Sequence, residues 1–485
     1  MDSTIDLIVM AGLIVTMDQG RSLITDGAVA VNDGKILAVG PRDTISQRYA
    51  ALKAVGGSHA IVMPGFIDGH SHAGHGLIRT MGSDDFPAFR EACRKVYMES
   101  ASLDFWAAEA RLSALERLKA GVTTATLYLG GGDENNRSDT PEVATTYAAA
   151  FCGVGMKLVL GIGPTRPPFP RHYTHFRGDR AQTVEVNFDR QLSVCEEVAR
   201  ILPGARTRVA FTAPVINPAI HRDRHFRTLC EMAQTMKDLA RKYDTLLMID
   251  GHREGTVTFA NGLDILDHRT LLSHAIGLKE DEVALIAELG AVVSNNAVSA
   301  SGTWDRCPLV ELLAAGARVF LSSDGLAPDG GTDMFDVMRG AMRYHRSMCR
   351  NPNILPPGRA LSLTTIETAR ALGIDHEVGS IEPGKRADII LVDTQKPHLQ
   401  PSVMPLHQLL MYANASDIDT VIVDGQVMME NRQVAQQAEI LSASQVECQI
   451  MLDRSGLRTS LDLPKSFWSD SYDRPVRDGL NHHGR

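Results

Sequence analysis

The sequence contains no CxxC pair, no long apolar run and no basic leader. Its few cysteines are scattered singly along 485 residues: Cys93, Cys152, Cys195, Cys230, Cys307, Cys349 and Cys448. An odd, scattered set argues against a disulfide framework and a structural zinc–thiolate site, and predicts reduced thiols. No run reaches the roughly 18 apolar residues of a membrane span. The N-terminal segment "MDSTIDLIVMAGLIVTMD" lacks the basic start of a signal peptide. We therefore expect a soluble, cytoplasmic protein.

A positive charge excess is also missing. The chain has 49 Lys and Arg against 58 Asp and Glu, a net charge of -9. This balance is not the electrostatic footprint of a nucleic-acid-binding protein. Zinc deaminases that edit nucleic-acid bases pair an H-x-E motif with a P-C-x-x-C motif, and this pair is absent because the sequence has no P-C-x-x-C. We expect neither a nucleic acid nor a membrane as a partner.

Short β-type runs are concentrated at the two ends of the sequence. They fill residues 5–62 and return at 387–394 and 418–430, with Asp-Gly turns at 33–34 and 424–425. Asp-Gly between apolar runs is a strong hairpin signal. We predict a small β-sandwich domain built from residues 1–62 plus 374–440, followed by a C-terminal extension, 441–485.

Residues 63–373 have a different pattern, in which short apolar runs alternate with helix-length segments. Eight runs are candidate strands: "GFIDGHSH", "VTTATLYL", "GMKLVLGIG", "RVAFTAP", "TLLMIDGH", "TLLSHA", "AVVSNNA" and "RVFLSSDG". Such alternation is typical of parallel α/β architecture. Eight repeats over this length predict a (β/α)8 TIM-like barrel, with an open doubly wound sheet as the alternative.

Four of these runs end in residues that an apolar core would not select. They are His70 and His72 in the first run, Asp250 and His252 in the fifth, His274 in the sixth and Asp324 in the eighth. Side chains two apart on a strand share a face, and barrel active sites lie at the C-terminal strand ends. Imidazoles and carboxylates meeting there form a mixed N/O set suited to Zn²⁺, with Fe²⁺ or another first-row ion as an alternative. His75 lies beyond the strand, and we interpret it as a loop residue near the mouth.

The segments "PGFIDGHSH", "LLSHAIGL", "FLSSDGLAPDGGTDMFDVMR" and "TARALGIDHEVGSIEPGKRADIILVD" resemble the amidohydrolase superfamily. More narrowly, they resemble its single-metal branch, which contains cytosine, guanine and adenosyl-type deaminases and triazine hydrolases. The resemblance implies a metal held by His70, His72, His252 and Asp324, with His274 contacting the substrate. It implies one ion per chain, because the fourth run offers no lysine to bridge two, and Lys157 begins the third run at the wrong end.

The fifth run departs from the branch, whose deaminases carry His-x-x-Glu. Here "DGHREG" places Gly255 where the glutamate is expected, and Glu254 stands one residue early. If the chain stays extended, Glu254 shares a face with His252 and is a candidate acid–base residue; if the chain turns, Glu254 is a surface carboxylate. The alternative alignment pairs Glu254 with the expected glutamate, and we reject it because it leaves Gly251 in the ligand position.

The loop after the seventh run, "NNAVSASGTW", also departs from the branch, and its Trp304 is either an aromatic wall of the substrate site or a packing residue. We assign His75, Arg79, His274 and Trp304 to substrate binding; a solvated arginine is the alternative for Arg79.

We predict a metal-dependent amidohydrolase that cleaves a C–N bond at an sp² carbon of a small molecule with metal-activated water. The reaction would be deamination of an N-heterocycle or amide- or urea-type hydrolysis. Asp324 would serve as general base and then acid, His274 would polarise the electrophile, and Glu254 would be a second acid–base group. Dechlorination of a triazine-like ring and a non-catalytic scaffold are the alternatives. We expect a homo-oligomer.

Overall fold

The computed structural model describes residues 3–83, 85–178, 180–220, 224–297, 306–328 and 330–457. The β-strands are Ser3–Val15, Leu23–Asn32, Lys35–Pro41, Tyr49–Pro64, Phe66–Ala73, Val122–Leu129, Lys157–Ile162, Arg171–Arg177, Arg180–Val186, Thr207–Ala213, Leu247–Ile249, Thr270–Ser273, Val292–Asn295, Arg318–Leu321, Ile389–Asp393, Ile418–Val423, Gln426–Glu430 and Gln433–Val434. The α-helices are Arg42–Arg48, Phe86–Arg94, Leu103–Lys119, Pro141–Gly153, Phe188–Ile201, Phe226–Lys242, Thr256–Gly262, Glu280–Leu289, Leu309–Ala314, Met334–Met348, Pro357–Ser362, Ile366–Ala371, Pro405–Tyr412 and Gln437–Ser455.

Eight parallel strands form a nearly closed barrel in chain order. The barrel strands, numbered first to eighth below, are Phe66–Ala73, Val122–Leu129, Lys157–Ile162, Thr207–Ala213, Leu247–Ile249, Thr270–Ser273, Val292–Asn295 and Arg318–Leu321. The first and eighth strands meet where the Asp324 backbone N–H donates to the His70 carbonyl at 3.1 Å. Gly69 permits this approach, because a Cβ there would lie 2.4 Å from the Phe320 ring. The strand order never reverses, so the predicted (β/α)8 barrel is confirmed and the open sheet is excluded.

Each barrel strand contributes one residue to a common interior cluster: Ile67, Tyr128, Val159, Ala210, Met248, Leu271, Val292 and Phe320. Residues of the segment from Ala369 to Val378 join this cluster. The filled interior is a packed core, as is usual for this fold. Catalytic chemistry is therefore left to the polar residues beyond the C-terminal strand ends.

The strands from both chain ends form a second, eight-stranded sheet. Its central strand Tyr49–Pro64 pairs parallel with Ser3–Val15 and antiparallel with Ile389–Asp393. Both predicted hairpins are present, and a Cβ on Gly34 in one turn would lie 2.7 Å from the Asp424 carbonyl oxygen in the other. The sheet therefore curls around its own apolar core, and the expectation of a β-structure built from both chain ends is confirmed.

Lys157 connects the two sheets. It begins the third barrel strand, and its Nζ lies 2.8 Å from carboxylate oxygens of both Asp388 and Asp424. In the second sheet, Asp388 directly precedes the strand Ile389–Asp393 and Asp424 directly follows the strand Ile418–Val423. The position at the N-terminal end of its strand agrees with the expectation that Lys157 is at the wrong end to reach a metal site.

Residues 441–455 lie within the helix Gln437–Ser455. This helix packs on Leu103–Lys119 and buries Ile440, Met451 and Leu452 in the main core. The predicted extension therefore begins as part of the folded body, and residues 458–485 lie outside the described residues. In the part of the chain that the structure describes, none of the helices has the length and apolar character that a membrane crossing requires.

Candidate active site

The first barrel strand positions two histidine rings side by side. All eight residues of Phe66–Ala73 are buried. Relative to the second strand, this strand holds one extra residue between Asp68 and Ser71, a β-bulge of the kind often found beside active sites. The rings of His70 and His72 lie 5.3 Å apart. Both predicted residues thus point to the same place.

Two carboxylates face these rings, one from the fifth strand end and one from the eighth. The Nε2 atom of His70 lies 3.6 Å from Oδ1 of Asp250 and 3.5 Å from Oδ1 of Asp324. The Nε2 atom of His72 lies 3.5 Å from Oδ2 of Asp250 and 3.3 Å from Oδ1 of Asp324. His274 completes the cluster, with its Nε2 atom 3.3 Å from Asp250 and 3.7 Å from Asp324.

This spacing fits a shared ion better than direct hydrogen bonds. Distances of 3.3–3.7 Å exceed the usual N–H···O range, whereas two donors about 2.1 Å from one ion at a tetrahedral angle are about 3.4 Å apart. Within the described residues, both ring nitrogens of the buried His70 lack a hydrogen-bond partner. Two groups of donor atoms could each hold an ion, His70–His274–Asp324 and His70–His72–Asp250. The residues present therefore fit a divalent metal.

Neighbouring charged groups in the cluster shift the pKa values of Asp250, His274 and Asp324. Burial opposes ionisation of Asp250 and Asp324, but the surrounding histidines outweigh burial and hold the pKa of both carboxyls below its usual range. Burial would likewise lower the pKa of His274, yet Asp324 and Asp250 raise that pKa to about 9.

Three of the non-glycine residues with positive φ lie at this cluster or next to it. His274, Ala275 and Asp324 have φ values of +64°, +50° and +67°. Such left-handed conformations cost non-glycine residues about 1–3 kcal/mol each and persist where the surroundings fix them. Here the His274 backbone N–H donates to the Ser294 carbonyl at 3.1 Å. Two of these three residues, His274 and Asp324, aim their side chains at the cluster.

A buried ion pair between Arg117 and Asp68 stabilises the ends of the first and eighth strands. Arg117 and Asp68 are both fully buried, with Nε 3.3 Å from Oδ2. Asp68 accepts from the Ser323 backbone N–H at 3.0 Å and from its hydroxyl at 2.6 Å, and Arg117 donates to Ser71 at 2.5 Å. The Ser71 hydroxyl in turn donates to the Asp324 carbonyl. This network fixes the backbone that carries Asp324.

The fifth strand differs from the prediction. The regular strand ends at Ile249, and Gly251 has φ +92°. The buried His252 ring places Nδ1 2.8 Å from the Thr256 hydroxyl, and the residue is in neither group of converging donor atoms. Glu254 is largely exposed and pairs with Lys279 at 2.6 Å. The structure thus brings Asp250 to the cluster and leaves out His252 and Glu254, because the chain turns at Gly251.

Three residues assigned to substrate binding also differ from expectation or lie beyond description. His75 is buried and stacks on His72 at 4.9 Å between ring centroids, so it lies behind that ligand candidate and not at the mouth. Arg79 is on the surface, 2.6 Å from Glu116, and does not join the cluster. Trp304 lies outside the described residues.

Sequence reasoning also missed groups that surround the cluster. The buried Tyr128 ring, near the end of the second strand, lies 5.1 Å from His70 and 5.5 Å from His72. Asp133 and Arg166, from the loops after the second and third strands, form a 2.6 Å ion pair. Asp250 had a visible signal, because it directly follows a buried strand; Tyr128 had none, because aromatic residues are common in strand cores.

The comparisons with known proteins agree with the fold. The model of the amidohydrolase family matches residues 61–428, and the model of the bacterial imidazolonepropionase-like composite domain matches residues 27–51. A 5-methylthioadenosine/S-adenosylhomocysteine deaminase of Moorella thermoacetica is 27% identical over 441 residues, covering 88% of this chain and 94% of the relative.

Two solved structures share the fold. An adenosine deaminase from Xanthomonas campestris with bound zinc has a TM-score of 0.79 and 22% identity, covering 93% of this chain and 100% of that one. An atrazine chlorohydrolase from Arthrobacter aurescens TC1 complexed with zinc has a TM-score of 0.71 and 19% identity, covering 91% and 100%.

The family match extends over most of the chain, and the relatives are hydrolytic deaminases. Both findings confirm the prediction of an enzyme and leave no support for a non-catalytic scaffold. The chain therefore belongs to the amidohydrolase family and is a metal-dependent hydrolase of carbon–nitrogen bonds other than peptide bonds.

Proposed function

We propose that this enzyme removes ammonia from an aminated N-heterocycle of a small molecule, using one divalent ion held at the cluster. The observation that carries the proposal is the convergence of His70, His72, Asp324 and His274 at the C-terminal strand ends. The named activity of the relatives, deamination of adenine nucleosides, supports the same reaction class. When bound, the ion would lower the pKa of a coordinated water from about 15.7 to about 7.

The side chains of the cluster supply the remaining chemistry. Asp324 is ionised at neutral pH, so it can accept a proton from the attacking water and return it to the leaving amine. His274 is 20% exposed whereas His70 is fully buried, so an entering substrate meets His274 first. Its ring N–H can donate a hydrogen bond towards a ring nitrogen or a developing oxyanion. In this role His274 replaces the glutamate that the fifth strand lacks.

A second candidate function is hydrolysis of an amide, a urea or a chlorinated triazine-like ring. The surface position of Glu254, paired with Lys279, favours it. Without a glutamate beside the substrate, an electrophilic carbon that needs no ring protonation would be the easier target. The fold shared with an atrazine chlorohydrolase is compatible with this chemistry.

A product-resolved substrate panel tests the proposal. Metal-loaded enzyme would be incubated with adenosine, 5-methylthioadenosine, S-adenosylhomocysteine, guanine, an aryl urea, an amide and atrazine, and released ammonia, amine and chloride would be quantified. We expect ammonia from at least one aminated heterocycle, and no release by the His70→Ala variant. Release of amine or chloride without ammonia would overturn deamination in favour of the second candidate.

A further inference from the structure

The fifth strand end supplies a feature that deepens the proposed function and rests on its metal centre. We propose that Asp250, and not His252, is the fifth-strand metal ligand, and that this second carboxylate makes the centre less selective for Zn²⁺ over Mn²⁺ than a set of three imidazoles and one carboxylate.

Asp250 contacts three imidazoles of the cluster. Its Oδ1 lies 3.6 Å from Nε2 of His70 and 3.3 Å from Nε2 of His274, while its Oδ2 lies 3.5 Å from Nε2 of His72. The carboxylate therefore faces three imidazoles, opposite Asp324. The Ser273 hydroxyl donates to Oδ1 and fixes the orientation of the group. Such outer contacts normally accompany true ligands, because they hold the donor atoms in place.

His252 makes its hydrogen bonds outside the cluster. Its backbone N–H donates to the Ser273 carbonyl at 3.1 Å, and its own carbonyl accepts from Ile276 at 3.0 Å. Its ring is bound to Thr256 through Nδ1. These bonds direct His252 along the sixth strand. Moving its ring into the cluster would break the contact with Thr256 and would bring the ring against the carboxylate of Asp250, which already lies there.

The turn that follows His252 is held by Glu282, which is distant in the sequence. This buried carboxylate accepts from the backbone N–H groups of Gly255 at 3.0 Å, Val257 at 3.1 Å and Thr258 at 3.4 Å. It thereby caps the start of the helix Thr256–Gly262. A carboxylate is favourable there because a helix N-terminus carries a partial positive charge. The chain after Gly251 is thus held in its turn by contacts that do not involve a metal.

The type of donor atom influences which divalent ion a site prefers. Two carboxylates neutralise the charge of a divalent ion, and oxygen donors suit Mn²⁺ and similar hard ions, whereas imidazole suits Zn²⁺, Cu²⁺, Fe²⁺ and Ni²⁺. With His70, His72, Asp250 and Asp324 as ligands, half of the set is oxygen. Preference among ions should shift accordingly.

Metal affinity separates the two candidate ligands without an activity assay. Apo-protein would be titrated with Zn²⁺ or Mn²⁺ alone in competition with a chelator, for the wild type, Asp250→Asn, Asp250→His and the matched control His252→Asn. Loss of an outer-shell partner costs about 10- to 100-fold in affinity, so loss of a ligand should cost at least about 100-fold. We expect this loss for Asp250→Asn and near-wild-type affinity for His252→Asn. The reverse pattern would overturn the assignment.

The selectivity of Asp250→His provides an independent test if the Asn variant fails to fold. An imidazole at this position should raise the ratio of the Mn²⁺ to the Zn²⁺ dissociation constant by at least about tenfold, a change within the range that ligand surroundings produce. An unchanged or lower ratio would overturn the proposed ion preference. These failures remain distinct from failure of the proposed function, which would instead appear as release of amine or chloride without ammonia in the substrate panel.

Discussion

The first and fifth barrel strands each end in two candidate ligands separated by one residue. Both side chains reach the cluster from the first strand, but only one does from the fifth. The first strand remains a strand as far as Ala73, and both His70 and His72 reach the cluster. The fifth ends at Ile249, so Asp250 reaches the cluster and His252 is directed towards Thr256. The same spacing therefore has different consequences, because strand alternation applies only while the backbone stays extended.

The largest expected effect comes from the first strand. His70→Ala should remove metal and turnover together, because it deletes a donor at the centre of both candidate groups. The fold should persist, since the cores of the barrel and the second sheet are formed by apolar residues elsewhere. Metal analysis, turnover and circular dichroism would be measured on the same sample. Full turnover by metal-free protein would contradict the site.

Asp324→Asn should separate metal binding from chemistry. The amide keeps an oxygen donor but loses the negative charge and the proton acceptor, so we expect weaker metal binding and, at saturating metal, a rate lower by about 10² to 10⁴. The variant would be compared with the wild type at matched metal content. A wild-type rate would show that a different residue transfers the proton.

A buried histidine away from the cluster should behave differently from those within it. Burial lowers the pKa of His345 to about 4, below its unfolded value near 6.5. The unfolded chain therefore binds the proton more readily, so the stabilising contribution is complete above pH 6.5 and is lost as the pH falls towards 4. By pH 5 the loss should be on the order of 2 kcal/mol.

Denaturant unfolding at pH 7 and pH 5 measures this loss. In His345→Gln the difference in unfolding free energy between the two pH values should shrink by that amount, because the amide does not titrate. An equal difference in variant and wild type would exclude His345 as a source of acid sensitivity.

Gly251→Ala tests the backbone turn that distinguishes the fifth strand. An added Cβ would meet nothing within 4 Å, so its cost arises from the φ of +92° and should be about 1–2 kcal/mol in unfolding free energy. Gly262→Ala is the matched control, because it also has open space and its φ is not in the left-handed region. Equal stabilities of the two variants would mean that the turn is not strained.

Glu254→Gln should have the smallest effect. Its carboxylate pairs with Lys279 on the surface, and such substitutions usually change stability by less than about 0.5 kcal/mol. The rate should stay near that of the wild type. A loss of about 100-fold with metal retained would show that Glu254 reaches the substrate after all.

Features set by neighbouring residues were predictable from the sequence. The turn at Asp33–Gly34, the barrel strands and the pair His70–His72 depend on local pattern, and all are present. The differences from the expected site involve distant partners. The turn after Gly251 is held by Glu282, and Arg79 is drawn to the surface by Glu116, 37 positions away. No local pattern contains such information.

The most direct test of the account is a crystal structure of the metal-loaded enzyme with an anomalous difference map. It should place the ion about 2.0–2.2 Å from Nε2 of His70 and His72 and from a carboxylate oxygen of Asp250 and of Asp324. An ion bound by Nε2 of His252, with Asp250 outside the coordination sphere, would contradict the central claim.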